Sequence, residues 1–359
     1  MQYTYNINLN CKSRNGQRGS ILFVVLWSLF FLSMLAVAIH AYLWPQLHAA
    51  SKIARRSQMY YLAKAGVKKA MYVLGNDETE YDALNDLWSS NEDEFKHVQL
   101  GNGSFSVMSF GSNGDGDDVM QLYGIVDEER KININTAPFE VLKRFFETVA
   151  GISSQQAREI ASSVIDWRDS DDEPGDDGAE DGYYSNLRPE YPCKDARFEA
   201  LEELLLIRGM DNDIFNRVKN RLTIFGAGAV NVNTADMLVL QSLGMSESLA
   251  EKLIHFRNGE DGLPATEDDN IFESPGTISS TLSREEGLDI NELAELKEVM
   301  SANLLCVRSN YFSAHSFGII NNAKSCLRID AIFDRNKDIK YWREVNLSAM
   351  DVPQVLLEY

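Results

Sequence analysis

Carboxylate side chains are crowded into one short segment of this 359-residue sequence. Residues 166–181 contain nine Asp or Glu side chains and one arginine, which gives a local charge of −8. Pro174, Gly175 and Gly178 indicate a loop, so the carboxylates do not share one solvated helix face. Hard oxygen donors in a flexible loop suit Ca²⁺ better than Zn²⁺, which prefers nitrogen and sulfur. The segment therefore predicts a calcium site, and a solvated acidic loop is the alternative.

A second cluster of oxygen donors lies in a glycine-punctuated segment at residues 259–272. Its composition fits a second calcium site and a simple polar turn equally well. The donors are Asp261, Thr266, Glu267, Asp268 and Asp269.

The sequence does not carry a recognisable catalytic motif. The five histidines are scattered, no H-E-x-x-H metal motif is present, and no serine stands in a G-x-S-x-G turn. The net charge of −20, from 34 basic and 54 acidic side chains, argues against nucleic acid as a general partner. We therefore expect a protein that is not an enzyme and that binds a cation.

The acidic residues are absent from the N-terminal part of the chain. Residues 1–76 contain no Asp or Glu, and residues 20–44 contain no charged side chain at all. A helix of this length, at about 1.5 Å per residue, is long enough to cross a hydrocarbon layer of about 30 Å. The run is too long for the apolar region of a secretory signal peptide. It predicts a membrane-inserted helix, with a buried helix of a soluble protein as the alternative.

The residues before this helix carry a family resemblance. A basic leader ends in Gln17-Arg18-Gly19 and is followed by Ser20 and the apolar run, which resembles a type IV prepilin or pseudopilin. The resemblance implies cleavage after Gly19 and methylation of the new N-terminus at Ser20. Most members have a glutamate at the fifth mature position, where this chain has Val24. The K-type minor pseudopilin of type II secretion shows the same departure, which suits a subunit with no neighbour ahead of it.

Periodicity gives the order of the remaining elements. Strand patterns occur at residues 103–110, 119–126, 304–317, 323–333 and 339–347, and about 170 residues of helical character separate the second pattern from the third. We expect an α+β fold: a long N-terminal helix and a small antiparallel pilin-like sheet, interrupted by a large, mainly helical insertion. The predicted domains are a leader at 1–19, a transmembrane helix at 20–44, a head at 45–127 and 303–359, and an inserted domain at 128–302.

The predicted insertion contains an internal repeat. The pattern N-x-N-T-A occurs at residues 133–137 and 231–235, and each copy precedes two helices joined at a glycine. The second helix of each pair is predicted at 155–167 and 247–257. Thr136 and Thr234 are expected to be N-caps. The pattern also resembles the helix-hairpin-helix of DNA-binding proteins, with Lys252 and Arg257 near the second copy, so an inner-membrane DNA-binding or DNA-uptake protein is the alternative function.

The acidic loop extends the K-type resemblance, because D-W-x-D-x-D-x-E-P followed by G-A-E and Y-Y matches a segment of that family. The resemblance implies a structural calcium ion, a single pass through the inner membrane, a periplasmic head and a place at the pseudopilus tip, where assembly starts. The implied partners are the I- and J-type minor pseudopilins, the H-type as a further candidate, the major pseudopilin and the prepilin peptidase. The implied ligands are Asp169, Asp171, Glu173, Glu180 and Asp181.

Four cysteines remain to be placed. Cys11 lies in the predicted leader, and Cys193 has no evident partner. Cys306 and Cys326 are equally far from residue 316 on two strand-like segments, so an antiparallel pair could join them. An oxidising periplasm would permit this disulfide, and two free thiols are the alternative.

Overall fold

The computed structural model describes residues 18–112, 119–320 and 325–348, together with residues 1 and 4. The chain divides into two compact units, residues 1–57 and residues 58–359. Most of the predicted leader, including Cys11, lies outside the described residues. Cleavage between Gly19 and Ser20 therefore stays a prediction.

The first helix, α1, runs from Arg18 to Leu74 and passes through Pro45 without interruption. Every residue from Ser20 to Ser57 is exposed, including large apolar side chains such as Phe23 and Trp27. Within the described part of the chain, this is the helix that is long and apolar enough to cross a membrane by length and composition. So large an apolar surface is not stable in water, which supports the predicted membrane insertion.

The remaining helices are mostly short and lie between residues 92 and 301. They are α2 (Glu92–Phe95), α3 (Phe139–Ala150), α4 (Ser154–Arg168), α5 (Asp181–Tyr184), α6 (Asn212–Val218), α7 (Met237–Ser242), α8 (Glu247–Arg257), α9 (Ile278–Glu285) and α10 (Ile290–Ser301). Short 3₁₀ helices occur at Glu128–Arg130, Leu201–Leu206, Lys219–Arg221 and Pro275–Thr277.

The strands fall at both ends of the second unit, with short pairs between them. They are β1 (Val98–Leu100), β2 (Gly103–Val107), β3 (Ser109–Ser112), β4 (Val119–Leu122), β5 (Val126–Asp127), β6 (Ile132–Asn133), β7 (Leu222–Thr223), β8 (Val230–Asn231), β9 (Leu305–Cys306), β10 (Tyr311–Ile320), β11 (Cys326–Asp334) and β12 (Ile339–Leu347).

Six of these strands form one antiparallel sheet in the order β1-β2-β10-β11-β12, with β5 paired to the start of β10. The C-terminal part of α1 packs on this sheet and buries Leu62, Val67 and Met71. Two glycines allow the close approach, because a Cβ on Gly66 would overlap the Ser316 side chain and one on Gly318 would overlap the helix backbone. The predicted pilin-like combination of a helix and an antiparallel sheet is confirmed.

The helices between β5 and β10 enclose a separate apolar core. Helix α3 packs on α4 and on α7, and its buried stripe includes Leu142, Phe145 and Phe146. The two predicted second helices are confirmed as α4 and α8. The large sheet takes strands from before residue 128 and after residue 310, as an insertion requires. The domain boundaries themselves stay predictions.

The predicted caps of the repeat are wrong. Pro138 occupies the N-cap position of α3 without a side-chain hydrogen bond, and α7 is capped by Asp236, whose side chain accepts a hydrogen bond from the Val239 N–H at 3.0 Å. Thr136 and Thr234 instead lie in the turn that precedes each helix, and their amides donate to the carbonyl oxygens three residues earlier. The N-cap residue of each helix therefore lies two residues later than the pattern indicated.

The predicted disulfide between Cys306 and Cys326 is also wrong, because both thiols are free. The strand predicted at 304–317 is two strands, and Cys306 lies in the short β9, opposite Asn231 of β8. Cys326 begins β11 opposite Ile319, at the far end of the hairpin from the residues that follow Cys306. The symmetry about residue 316 gave the wrong register for this hairpin.

We expect Gly318→Ala to lower the melting temperature of the head by several degrees. A Cβ at this position would overlap the carbonyl oxygen of Met59 and lie 2.6 Å from the Ala63 nitrogen, so helix and sheet must move apart. Overpacking of this kind costs about 1–3 kcal/mol. Gly276→Ala is the matched control, since its nearest neighbour would be 3.8 Å away. Equal melting temperatures for the two variants would contradict the close approach.

Candidate metal centre

The acidic loop leaves the end of α4 and returns to the chain at α5. Asp169 is the C-cap of α4, and Glu180 is the N-cap residue of α5. Aromatic rings hold the two ends together, because Tyr184 contacts Trp167 with 5.3 Å between ring centroids and stacks on Tyr191 at 5.4 Å. Both ends of the acidic loop are therefore fixed on the core of the helical region.

Glu180 has an unusual environment for a carboxylate. Its side chain is buried, with 3% of its surface exposed, and neither carboxylate oxygen has a hydrogen-bond partner. Burial raises its pKa to about 7, and the charges of Asp166, Asp169 and Asp195 add to this effect. Asp169 Oδ1 is likewise buried without a partner. An unpaired buried anion is costly unless a cation or a proton neutralises it.

The structure adds two residues that the sequence interpretation missed. One ligand atom each of Glu180, Cys193 and Asp195 lie within 4.8 Å of one another. Cys193 is buried and Asp195 is exposed. The available signal was the segment Cys193-Lys-Asp195, which follows a proline and lies only twelve residues after Asp181. The spacing of this segment in the sequence did not indicate which acidic residue it would approach.

Several of the predicted ligands serve the loop itself. Asp181 Oδ1 accepts a hydrogen bond from the Cys193 N–H at 2.7 Å, and Asp171 Oδ1 accepts one from the Glu173 N–H at 3.0 Å. Glu173 is exposed. The buried Asp166 accepts hydrogen bonds from the Gly175 N–H at 3.2 and 3.3 Å. Asp171 and Asp181 therefore shape the loop, while the charge of Asp169 acts on Glu180.

The donors around Glu180 fit a divalent cation. Burial raises the pKa of Asp169, and the neighbouring charges of Asp171 and Asp195 raise it further. Like charges that destabilise one another in this way are relieved by a bound cation. Carboxylate oxygens are the ligands that Ca²⁺ takes, usually together with backbone carbonyl oxygens and water.

The second predicted cluster has a different character. Asp268 Oδ2 accepts hydrogen bonds from the N–H groups of Glu260 at 2.7 Å and Asp261 at 3.1 Å. Asp269 Oδ2 accepts one from Ala265 at 2.8 Å, and Thr266 Oγ1 lies 2.7 Å from Asp268 Oδ1. Because the carboxylates are used by their own turn, the polar turn is the simpler interpretation. The second site at Asp261, Thr266, Asp268 and Asp269 stays a prediction.

Both copies of the repeat are closed by an arginine from the end of the second helix. Arg257 is buried and donates to the carbonyl oxygens of Val232 at 2.9 Å and Ala235 at 2.7 Å. Arg168 donates in the same way to Ile134 and, at 2.7 Å, to Ala137. These arginines are structural, because they satisfy the carbonyl groups of the N-x-N-T-A turn.

A second group of buried carboxylates joins the helical region to the sheet. Asp127 Oδ2 accepts hydrogen bonds from Asn231 Nδ2 at 2.9 Å, Thr234 Oγ1 at 2.6 Å and Ser309 Oγ at 2.8 Å. Asp127 belongs to the sheet, whereas Asn231 and Thr234 belong to the second repeat. We call this group, with Asp82, Glu129 and Arg335, the junction.

Arg335 supplies the cation of the junction. Its guanidinium pairs with Asp82, lies 3.5 Å from Asp77 Oδ2 and donates from Nε to the Ser309 carbonyl oxygen at 2.7 Å. Even so, burial raises the pKa of Asp82 to about 6. Burial also raises the pKa of Glu129 to about 7, with further contributions from the charges of Asp127 and Asp82.

The raised pKa of Glu129 predicts a pH dependence of stability. The Glu129 carboxyl group binds its proton more tightly in the folded state than in the unfolded state. Its contribution to the stability of the folded protein is therefore lost as pH rises from about 4.5, its usual pKa, through about 7. Glu129→Gln cannot ionise, so its free energy of unfolding should fall less than that of wild type between about pH 5 and about pH 8. Urea denaturation at the two pH values measures this difference. Glu251→Gln, at an exposed position of α8, should keep the wild-type slope, and equal slopes for all three proteins would contradict the assignment.

Comparison with known proteins finds similar sequences and a similar structure. Residues 118–227 match the family model for the type II secretion system protein K. Type II secretion system protein K of Pectobacterium carotovorum is 28% identical over 108 residues, which are 30% of this chain and 33% of the relative. The protein K of Dickeya chrysanthemi is 32% identical over 117 residues, 30% of this chain and 32% of the relative. These two alignments thus span about a third of each relative's length.

Two further matches are longer. The protein K of Pseudomonas aeruginosa is 24% identical over 266 residues, 71% of this chain and 76% of the relative. A chain in the crystal structure of the GspK-GspI-GspJ complex of the enterotoxigenic Escherichia coli type 2 secretion system has the same fold. It superposes with a TM-score of 0.61 and 16% identity, covering 83% of this chain and 99% of that one. Residues 118–227 are therefore similar to the type II secretion system protein K family, and the chain shares its fold with a chain of the GspK-GspI-GspJ complex.

Proposed function

We propose that this protein is a minor pseudopilin at the tip of a type II secretion pseudopilus, where it starts assembly of the filament. The observation that carries the proposal is the fold shared with a chain of the GspK-GspI-GspJ complex over nearly the whole of that chain. The I- and J-type minor pseudopilins are then its direct partners. Its role is structural and does not involve catalysis.

The N-terminal residues support a place at the tip. In this proposal a peptidase removes the leader after Gly19, and the apolar part of α1 anchors the protein in the inner membrane with its head in the periplasm. Val24 is exposed on this helix, where most pilins carry a glutamate that neutralises the N-terminus of a neighbour. An unpaired charge in a low-dielectric filament core costs several kcal/mol. A subunit without this glutamate avoids that cost when no neighbour lies ahead of it.

The DNA-binding alternative is disfavoured by the basic residues it would use. Lys252 Nζ pairs with Glu292 Oε2 at 2.7 Å and donates to the Gly287 carbonyl oxygen at 3.2 Å. Arg257 is buried and bonded to the turn of the repeat. Phosphate binding needs accessible cations in a positive field, whereas Lys252 and Arg257 of the second hairpin are bonded to other groups of the protein.

We also propose that the acidic loop binds one structural Ca²⁺. Glu180, Asp169 and Asp195 are its principal carboxylate ligands, and the predicted ligands Asp171, Glu173 and Asp181 shape the loop or contribute from its outer side. The ion would supply charge neutralisation at Glu180, whose oxygens have no other partner. It would thereby fix the loop between α4 and α5.

The tip assignment predicts a stable ternary complex. The full-length chain, expressed with the I- and J-type minor pseudopilins of its own secretion system and extracted in detergent, should elute with both as one species in size-exclusion chromatography. A major pseudopilin expressed in place of the I- and J-types is the control, and it should not give this discrete complex. Sub-micromolar retention of duplex DNA at physiological salt, without a ternary complex, would instead support the DNA-binding alternative.

The calcium assignment predicts a thermal shift that depends on Glu180. For a ligand at about 100 times its Kd the expected gain is about 2.7 kcal/mol, which corresponds to a rise of about 5 °C or more. Glu180→Gln should abolish the shift and should not destabilise the calcium-free head, since it removes an unpaired buried charge. Differential scanning calorimetry of a head fragment beginning at Gln46 measures both effects.

Glu190→Gln is the matched control for this experiment, because it makes the same change at an exposed position near the loop. It should keep the full calcium shift. A wild-type head that does not respond to millimolar Ca²⁺, or a Glu180→Gln variant that responds like wild type, would contradict the proposed site.

A further inference from the structure

The Cys193 thiol lies inside the proposed cation centre. Its sulfur is grouped with oxygens of Glu180 and Asp195, all within 4.8 Å. The residue is buried, with 5% of its surface exposed, and the thiol is free. The hydrogen bond it makes as a donor is a long one, 3.8 Å from Sγ to the carbonyl oxygen of Asp166. A sulfur in this position is available to a metal ion that Glu180 also faces.

The burial of the Glu180 carboxylate also points to a ligand here. Its side chain is more than nine-tenths buried, and both oxygens lack hydrogen-bond donors. At least one of these oxygens is directed toward the sulfur of Cys193 and the carboxylate of Asp195. A buried carboxylate in this state is neutralised by a proton or by a bound cation, and the neighbouring charges of Asp166, Asp169 and Asp195 are all acidic.

The backbone holds the sulfur in place. Asp181 Oδ1 accepts a hydrogen bond from the Cys193 N–H at 2.7 Å, which ties the cysteine to the start of α5, next to Glu180. Asp181 is thus a positioning residue for the thiol.

The set of possible ligands includes a sulfur atom, which a hard cation does not bind. Ca²⁺ binds oxygen, whereas Zn²⁺ and other thiophilic ions accept a cysteine sulfur together with carboxylate oxygens in four-coordinate sites. We propose that Glu180, Cys193 and Asp195 form a thiolate-containing site for Zn²⁺ or a similarly thiophilic divalent ion. This inference rests on the proposed cation centre and gives it a second, sulfur-dependent specificity. Water or the nearby Asp169 completes the coordination.

The test uses the full-length protein in detergent, freed of metal with a chelator and titrated with Cd²⁺ as a spectroscopic probe. A cadmium–thiolate bond gives an ultraviolet charge-transfer absorption that carboxylates alone do not give. Wild type should develop this absorption up to one equivalent of Cd²⁺. Cys193→Ser should lose it and should bind Zn²⁺ at least about tenfold more weakly in a competition assay.

Cys326→Ala is the matched control, because Cys326 is also a buried free thiol but lies in β11. It should keep the one-equivalent absorption. Circular dichroism of each variant shows that it is folded. An absorption that persists unchanged in Cys193→Ser, or one that depends on Cys326, would overturn the inference.

The calcium response separates this inference from the proposed calcium site. Cys193→Ser should retain the Ca²⁺-dependent thermal shift, since Ca²⁺ does not need the sulfur. A wild type that responds to Ca²⁺ but shows no cadmium–thiolate absorption overturns the thiolate site and leaves the calcium site standing. A wild type that responds to neither ion overturns both.

Discussion

The burial of carboxylates is the physical constraint on which this structure depends. Transfer of an ionised carboxylate out of water costs several kcal/mol even after relaxation, so each buried acid needs a compensating group. Asp82 and Asp127 are almost fully buried, and they are compensated by a guanidinium and by hydroxyl and amide donors of the chain. Glu180 is buried to a similar degree without any such partner. The chain itself thus compensates the buried charge at the junction, whereas at Glu180 we propose that a bound cation does so.

The junction also determines how the helical region is attached to the sheet. It gathers residues from the strand that leaves the sheet, from the second repeat and from the segment that returns to the sheet, all around Asp127. The first repeat uses the equivalent asparagine differently, because Asn133 Nδ2 donates to the backbone carbonyl oxygens of Phe225 and Gly226 at 2.8 and 3.0 Å. Two copies of one sequence pattern therefore have separate roles. The first joins its turn to the segment that follows β7, and the second attaches the helical region to the sheet.

Periodicity and composition predicted the elements of this fold well, because they report local preferences. The N-terminal helix, the antiparallel hairpins and the paired helices of the repeat all follow from spacing that is visible in the sequence. Register and side-chain pairing did not follow, since they depend on residues far apart in the chain. The predicted pairing of Cys306 with Cys326 assumed a hairpin centred on residue 316. The register of β10 and β11 is different, and Cys326 lies at the other end of that hairpin. Composition predicted a metal site in the acidic loop, but the approach of Asp195 and Cys193 to Glu180 depends on tertiary packing.

Compensation by Arg335 at the junction and the proposed compensation by a bound cation at Glu180 differ in one respect, because only the second depends on the surrounding solution. Arg335 is part of the chain, so the junction keeps its compensation wherever the protein is. A bound ion is exchangeable, and its contribution to stability varies with its free concentration. Glu180 lies between α4 and α5, inside the helical region, whereas the network that attaches this region to the sheet contains its own cation. Under the proposed function, divalent ions would therefore control the order of the acidic loop without loosening the attachment of the helical region. A pseudopilin head can then meet varying ion concentrations in the periplasm and still keep its sheet and insertion joined.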